Sequence, residues 1–99
     1  MKVYISGPIT GTDDYMERFD RAERSLQAEG CTVINPAEVC ARLPADTTHG
    51  EYMRICIPMI DMCQAVFMLE GWQESKGCAQ EFEYAYEHGI TIMFEGGRK

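Results

Sequence analysis

A chain of 99 residues holds one domain with a single core, here residues 1–99, and 45% apolar with 25% charged residues is an ordinary globular balance. A net charge of −7 excludes a nucleic-acid backbone as partner, which would need a basic face, while leaving room for a small ligand held by local dipoles. No apolar stretch approaches the roughly 20 residues of a membrane span, and no basic region followed by an apolar one opens the chain; it reads as soluble and cytoplasmic.

Lys2-Val3-Tyr4-Ile5-Ser6 is a β-rich run ended by Gly7-Pro8, hence a first strand, and Gly7 to Gly11 is a turn-forming loop. Thr12 or Asp13 caps a helix with Met16, Phe19, Ala22 and Leu26 on its inner face, and Gly30 ends it. Cys31 to Asn35 is a second strand stopped by Pro36. Residues 36–49 read as an irregular loop, the longest in the chain and a lid or rim. From Gly50 to Cys63 a helical stripe carries Tyr52, Ile55, Cys56, Met59, Ile60 and Cys63, with a kink or break expected at Pro58.

Ala65 to Leu69 is an all-apolar third strand, as expected where both faces are covered. Gly71 to Gly77 is a loop, Cys78 to His88 a third helix ended by Gly89, Ile90 to Phe94 a fourth strand, and Glu95 to Lys99 a frayed tail. The order β-α-β-α-β-α-β implies a small doubly wound, flavodoxin- or Rossmann-like parallel sheet of the α/β class, strand order 2-1-3-4. Its ligand crevice lies beyond the C-terminal strand ends, between the first and third strands, where loops 7–11 and 71–77 converge.

The five cysteines, 31, 40, 56, 63 and 78, form no C-x-x-C pair and read as free thiols in a reducing compartment. His49 and His88 stand without ligand spacing, so neither a metal nor another cofactor is indicated.

The most informative segment is Ser75-Lys76-Gly77-Cys78-Ala79-Gln80-Glu81. A small hydroxyl and a glycine at a strand-to-helix turn leave backbone N–H groups free, an arrangement that attracts phosphate. Glu81 shares a stripe with Cys78 and Ala85, so its carboxylate belongs at the helix boundary beside that anion site. Tyr4 either reaches the crevice floor with its hydroxyl or is a satisfied core tyrosine. Trp72 either walls a base or sugar ring by stacking or caps the core. Tyr84, among polar positions, is a surface residue or part of a subunit contact.

Tyr4-Ile5-Ser6-Gly7-Pro8-Ile9-Thr10-Gly11, Asn35-Pro36 and Gly71-Trp72-Gln73-Glu74-Ser75-Lys76-Gly77 with Glu81 resemble the small nucleoside 2-deoxyribosyltransferase-like proteins of phages and prophages, relatives of 2′-deoxynucleoside 5′-phosphate N-hydrolases. The resemblance implies attack of Glu81 on the anomeric carbon of deoxyribose, giving a glycosyl ester resolved by water or a second base. Tyr4 would orient that carboxylate or assist the ring oxygen. It implies substrate contacts from Ser6, Gly7, Pro8, Ile9, Thr10, Gly11, Asn35, Trp72, Ser75 and Gly77, with the 5′-phosphate at Ser75 and Gly77. It also implies a homodimer or higher homo-oligomer.

The chain departs from that pattern at three places. Cys56 and Gln64 stand where the family carries aspartates, and Thr10 stands where some N-hydrolases carry arginine. These departures leave open a module that binds a nucleoside or nucleotide without turning it over, and a scaffold for a protein partner.

Overall fold

Strand residues send successive side chains to opposite faces, and Lys2–Ser6 is buried on both. Val3 and Ile5 join one apolar cluster with Phe19, Ala22 and Leu26; Tyr4 joins another with Cys56, Ile60, Cys78 and Ala85. A strand filled on both sides belongs at the centre of a sheet with helices on each face.

A computed structural model of the chain describes residues 1–97. Its elements are β1 (Lys2–Ser6), α1 (Tyr15–Ala28), β2 (Thr32–Ile34), α2 (Pro36–Val39), α3 (His49–Asp61), β3 (Ala65–Met68), a 3-10 turn (Trp72–Glu74), α4 (Lys76–Glu87) and β4 (Thr91–Phe94). The strands form one sheet of order β2-β1-β3-β4, every neighbour parallel. This is the doubly wound topology expected from the sequence. α1 covers one face, α3 and α4 the other. Register pairs Ser6 with Met68, so the ends of β1 and β3 lie side by side where the helices diverge. No helix of the described residues is long and apolar enough to cross a membrane.

Several local expectations are corrected. α1 begins at Tyr15 with Asp14 as N-cap and no side-chain cap; Thr12 instead donates to the Ile9 carbonyl at 3.0 Å, closing the first loop on itself. The 36–49 loop opens with α2, because Asn35 Oδ1 accepts from the amides of Ala37 (3.0 Å) and Glu38 (3.3 Å) and Pro36 fits the first helical turn. α3 is not broken at Pro58: the missing amide removes one bond near the helix end, while buried Cys56 and Ile60 hold both sides of it against the sheet.

At the end of the chain, Glu95–Gly97 forms a short turn rather than a frayed tail, with Glu95 accepting from the Glu70 amide at 2.8 Å. Arg98 and Lys99 lie outside the described residues. Cys40, Cys56, Cys63 and Cys78 are buried, Cys31 is half-buried, and all five are free thiols.

Candidate functional site

Because β1 alternates, Tyr4 and Ser6 both face α4, and there they meet Glu81. The Tyr4 hydroxyl donates to Glu81 Oε2 at 2.6 Å, and the Ser6 hydroxyl donates to Oε1 at 2.6 Å. Glu81 is 6% exposed on the buried stripe of α4, between Cys78 and Ala85. Each carboxylate oxygen therefore takes one hydroxyl hydrogen bond and keeps lone-pair capacity for a further partner.

Burial drives the titrations here. It pushes the Glu81 carboxyl above the usual carboxylate range, opposed by the hydroxyls of Ser6 and Tyr4, the Cys56 thiol and the His49 charge. Burial, then the Glu81 charge, holds the Tyr4 hydroxyl well above its ordinary value, so Tyr4 remains a proton donor to the carboxylate. Burial pushes the Cys56 thiol up to about 12, so it stays protonated at neutral pH.

Above the carboxylate lies a cavity of about 320 Å³, within the ~300–1,000 Å³ typical of small-molecule pockets. Tyr4, Gly7, Ile9 and Thr10 line it from β1 and the first loop, and Phe19 from α1. α3 contributes His49, Tyr52, Met53 and Cys56; the start of α4 contributes Ser75, Gly77, Cys78 and Glu81. Among the described residues, no lysine or arginine lines the cavity. Arg18 is engaged elsewhere, donating to the Glu70 carbonyl at 2.8 Å and lying 3.7 Å from Glu95.

Ser75 is the N-cap of α4, its Oγ accepting from the Cys78 amide at 3.3 Å. As first residues of the helix, Lys76 and Gly77 have amides without a backbone acceptor among the described residues. Gly7 is closely approached: a Cβ there would lie 2.5 Å from Leu69 Cδ1 and 3.1 Å from its Cβ, so Leu69 would have to shift.

The cavity thus gathers Tyr4, Gly7, Ile9, Thr10, Ser75, Gly77 and Glu81 from the sequence-predicted set, with Ser6 beneath it as a partner of Glu81. Four others fall elsewhere. Asn35 caps α2 and donates to Glu23 Oε1 at 3.0 Å, so its polar atoms are engaged away from the cavity. Trp72 stacks on Phe82 at 4.6 Å and packs toward Phe94 at 6.1 Å, capping the core rather than walling the cavity. Pro8 and Gly11 do not line it.

Among the departures, Cys56 lies in the cavity, but Gln64 precedes β3 at the opposite end of the sheet, accepting from the Lys2 amide at 2.9 Å. The lining residues His49, Tyr52 and Met53 are not among the site residues expected from the sequence. A signal exists: Thr48 and Glu51 form a capping box that starts α3 at His49. That start puts His49, Tyr52 and Cys56 on one helical face at spacings of three and four.

The fold and site define a small parallel α/β protein with a buried, hydroxyl-held carboxylate at its switch-point crevice. The chain belongs to the family described as Domain of unknown function (DUF4406), which matches residues 1–94. Among solved structures it is similar to a 2-deoxyribosyltransferase from the psychrotolerant bacterium Bacillus psychrosaccharolyticus, with TM-score 0.75 and 19% identity over 95% of this chain and 71% of that one. At that identity the likeness establishes a common fold, and the sequence resemblance is borne out at that level. No curated protein matches the chain in sequence.

Proposed function

We propose that the protein breaks or transfers the N-glycosidic bond of a deoxynucleoside or its 5′-monophosphate, with Glu81 as nucleophile. The observation that carries this reading is the Glu81 carboxylate under the cavity, buried yet held by two hydroxyl donors. Glycosyl transfer passes through an oxocarbenium-like state that a carboxylate at the anomeric carbon stabilises and can trap. A raised but counterbalanced carboxyl suits the work, since its anion is weakly solvated while both oxygens are fixed in place. The 2-deoxyribosyltransferase of like fold supports the same substrate class.

The test is release of free base from a panel of deoxynucleosides and their 5′-monophosphates. Release is expected from wild type and loss of it in Glu81→Ala. No release, or release indifferent to Glu81, would remove the reading.

A second reading, a nucleoside- or nucleotide-binding module without turnover, is favoured by one observation: Cys56 is a neutral thiol where the resembling family has a carboxylate. Ligand binding to the native state alone raises the melting temperature by mass action. Thermal stabilisation by the panel without base release would establish this reading in place of the first.

A further inference from the structure

A base leaves more readily as a neutral species than as an anion, so a proton donor across the cavity from the nucleophile assists its departure. Tyr4 is bonded to Glu81, and the Cys56 thiol is too weak an acid to serve. The Tyr52 hydroxyl is also pushed up by burial. One other group with a transferable proton stands on the α3 wall. His49, the first residue of α3, lines the same cavity as Glu81.

His49 is exposed, and its ring is oriented by one contact to Gln80. Nε2 lies 2.7 Å from Gln80 Oε1, and with that oxygen accepting, Nε2 is the protonated ring nitrogen. Cε1 rests over Gly77, where a Cβ would lie 3.5 Å away. The Nε2–Cε1 edge thus lies along the first turns of α4, and Nδ1 has no hydrogen-bond partner among the described residues.

We propose that His49 is the general acid that protonates the leaving base, a role resting on the glycosidic reading above. In the imidazolium, Nε2–H stays on Gln80 and Nδ1–H donates. A Glu81 oxygen forms the bond to C1′ as the C1′–N bond breaks. The bonding pair passes to the base nitrogen, and the Nδ1 proton goes to a basic atom of the base. Water then hydrolyses the ester, giving free deoxyribose and the Glu81 carboxylate; the proton released from water returns His49 to its cationic form.

Two substrate types separate this role from a structural one. 2′-Deoxyguanosine and thymidine need an acid, whereas 7-methyl-2′-deoxyguanosine and nitrophenyl 2-deoxyriboside release leaving groups that need none. Each is assayed as the nucleoside or glycoside and as its 5′-phosphate, with wild type, His49→Ala, His49→Gln and Glu81→Ala, after melting curves confirm folding. Both His49 variants are expected to lose about 10²–10⁴-fold on the first type and less than about tenfold on the second. Glu81→Ala is expected to lose activity on both types.

Equal loss on both types, or no loss, in either folded His49 variant overturns the role of His49 while leaving that of Glu81 intact. Absence of Glu81-dependent release from every substrate overturns the glycosidic reading and the role of His49 with it.

Discussion

The Tyr4 hydroxyl reaches Glu81 Oε2 at 2.6 Å across 77 positions of the chain, joining the central strand to α4 at the cavity floor. This bond sets where the carboxylate sits and lowers the pH at which it ionises.

Tyr4→Phe tests that effect. Loss of the donor should raise the Glu81 carboxyl further, because the bond favours the anion. In the proposed function Glu81 attacks as the anion, so the acid limb of base release should move to higher pH. A hydrogen bond to a charged group contributes about 1.5–3 kcal/mol, so a slower rate should accompany the shift. Rates measured across pH decide it: an unmoved acid limb would mean that the hydroxyl does not tune the carboxylate.

Glu81 also links stability to pH. Its folded-state carboxyl lies above its unfolded value, so the folded protein holds that proton more tightly. The resulting stability is present below the unfolded value and is lost as pH rises through the folded one. Glu81→Gln removes the titration, so urea midpoints of wild type relative to this variant should fall as pH rises through and above the carboxylate range. A constant difference would contradict the raised carboxyl.

Gly7→Ala should destabilise the fold by about 1–3 kcal/mol through overpacking, since the new Cβ would meet Leu69 at 2.5 Å. Leu69→Ala in the same chain should give a smaller total loss than the sum of the single changes, because the two share one contact. Denaturant titration of the four proteins measures the coupling, and simple additivity would show that the strand end yields instead.

Thr48→Ala removes the capping box that opens α3 and should cost about 0.5–2 kcal/mol. Thr48→Asp should retain most of that stability. Similar losses in both would place the value of Thr48 outside the cap.

Period-two alternation in β1 and the three- and four-residue spacing in α4 make much of the site legible in the amino-acid sequence. Tyr4 and Ser6 have to share a face, and Glu81 has to share one with Cys78 and Ala85. His49 is hidden because the apolar stripe places the helix start at Gly50, one residue past the start that the Thr48–Glu51 capping box sets. Asn35 misleads because one side chain serves equally as a ligand donor or a helix cap, and Pro36 beside it is the sign of the cap. Trp72 is undecidable in sequence, since the stacking partners that place it, Phe82 and Phe94, come from other elements. Gln64 is matched to the family's aspartate by its place just before the third strand, and the structure puts that strand start at the end of the sheet away from the crevice, bonded to the Lys2 amide.

The most direct measurement of the nucleophile is the mass of the protein quenched during reaction with a 2′-fluorinated 2′-deoxyarabinosyl nucleoside. The fluorine destabilises the oxocarbenium-like state and slows breakdown of a glycosyl ester. One fluorodeoxyarabinosyl group is expected on the peptide carrying Glu81, accumulating with released base and absent from Glu81→Gln. Base release with that peptide unmodified, or the sugar attached to another residue, would contradict Glu81 as the nucleophile.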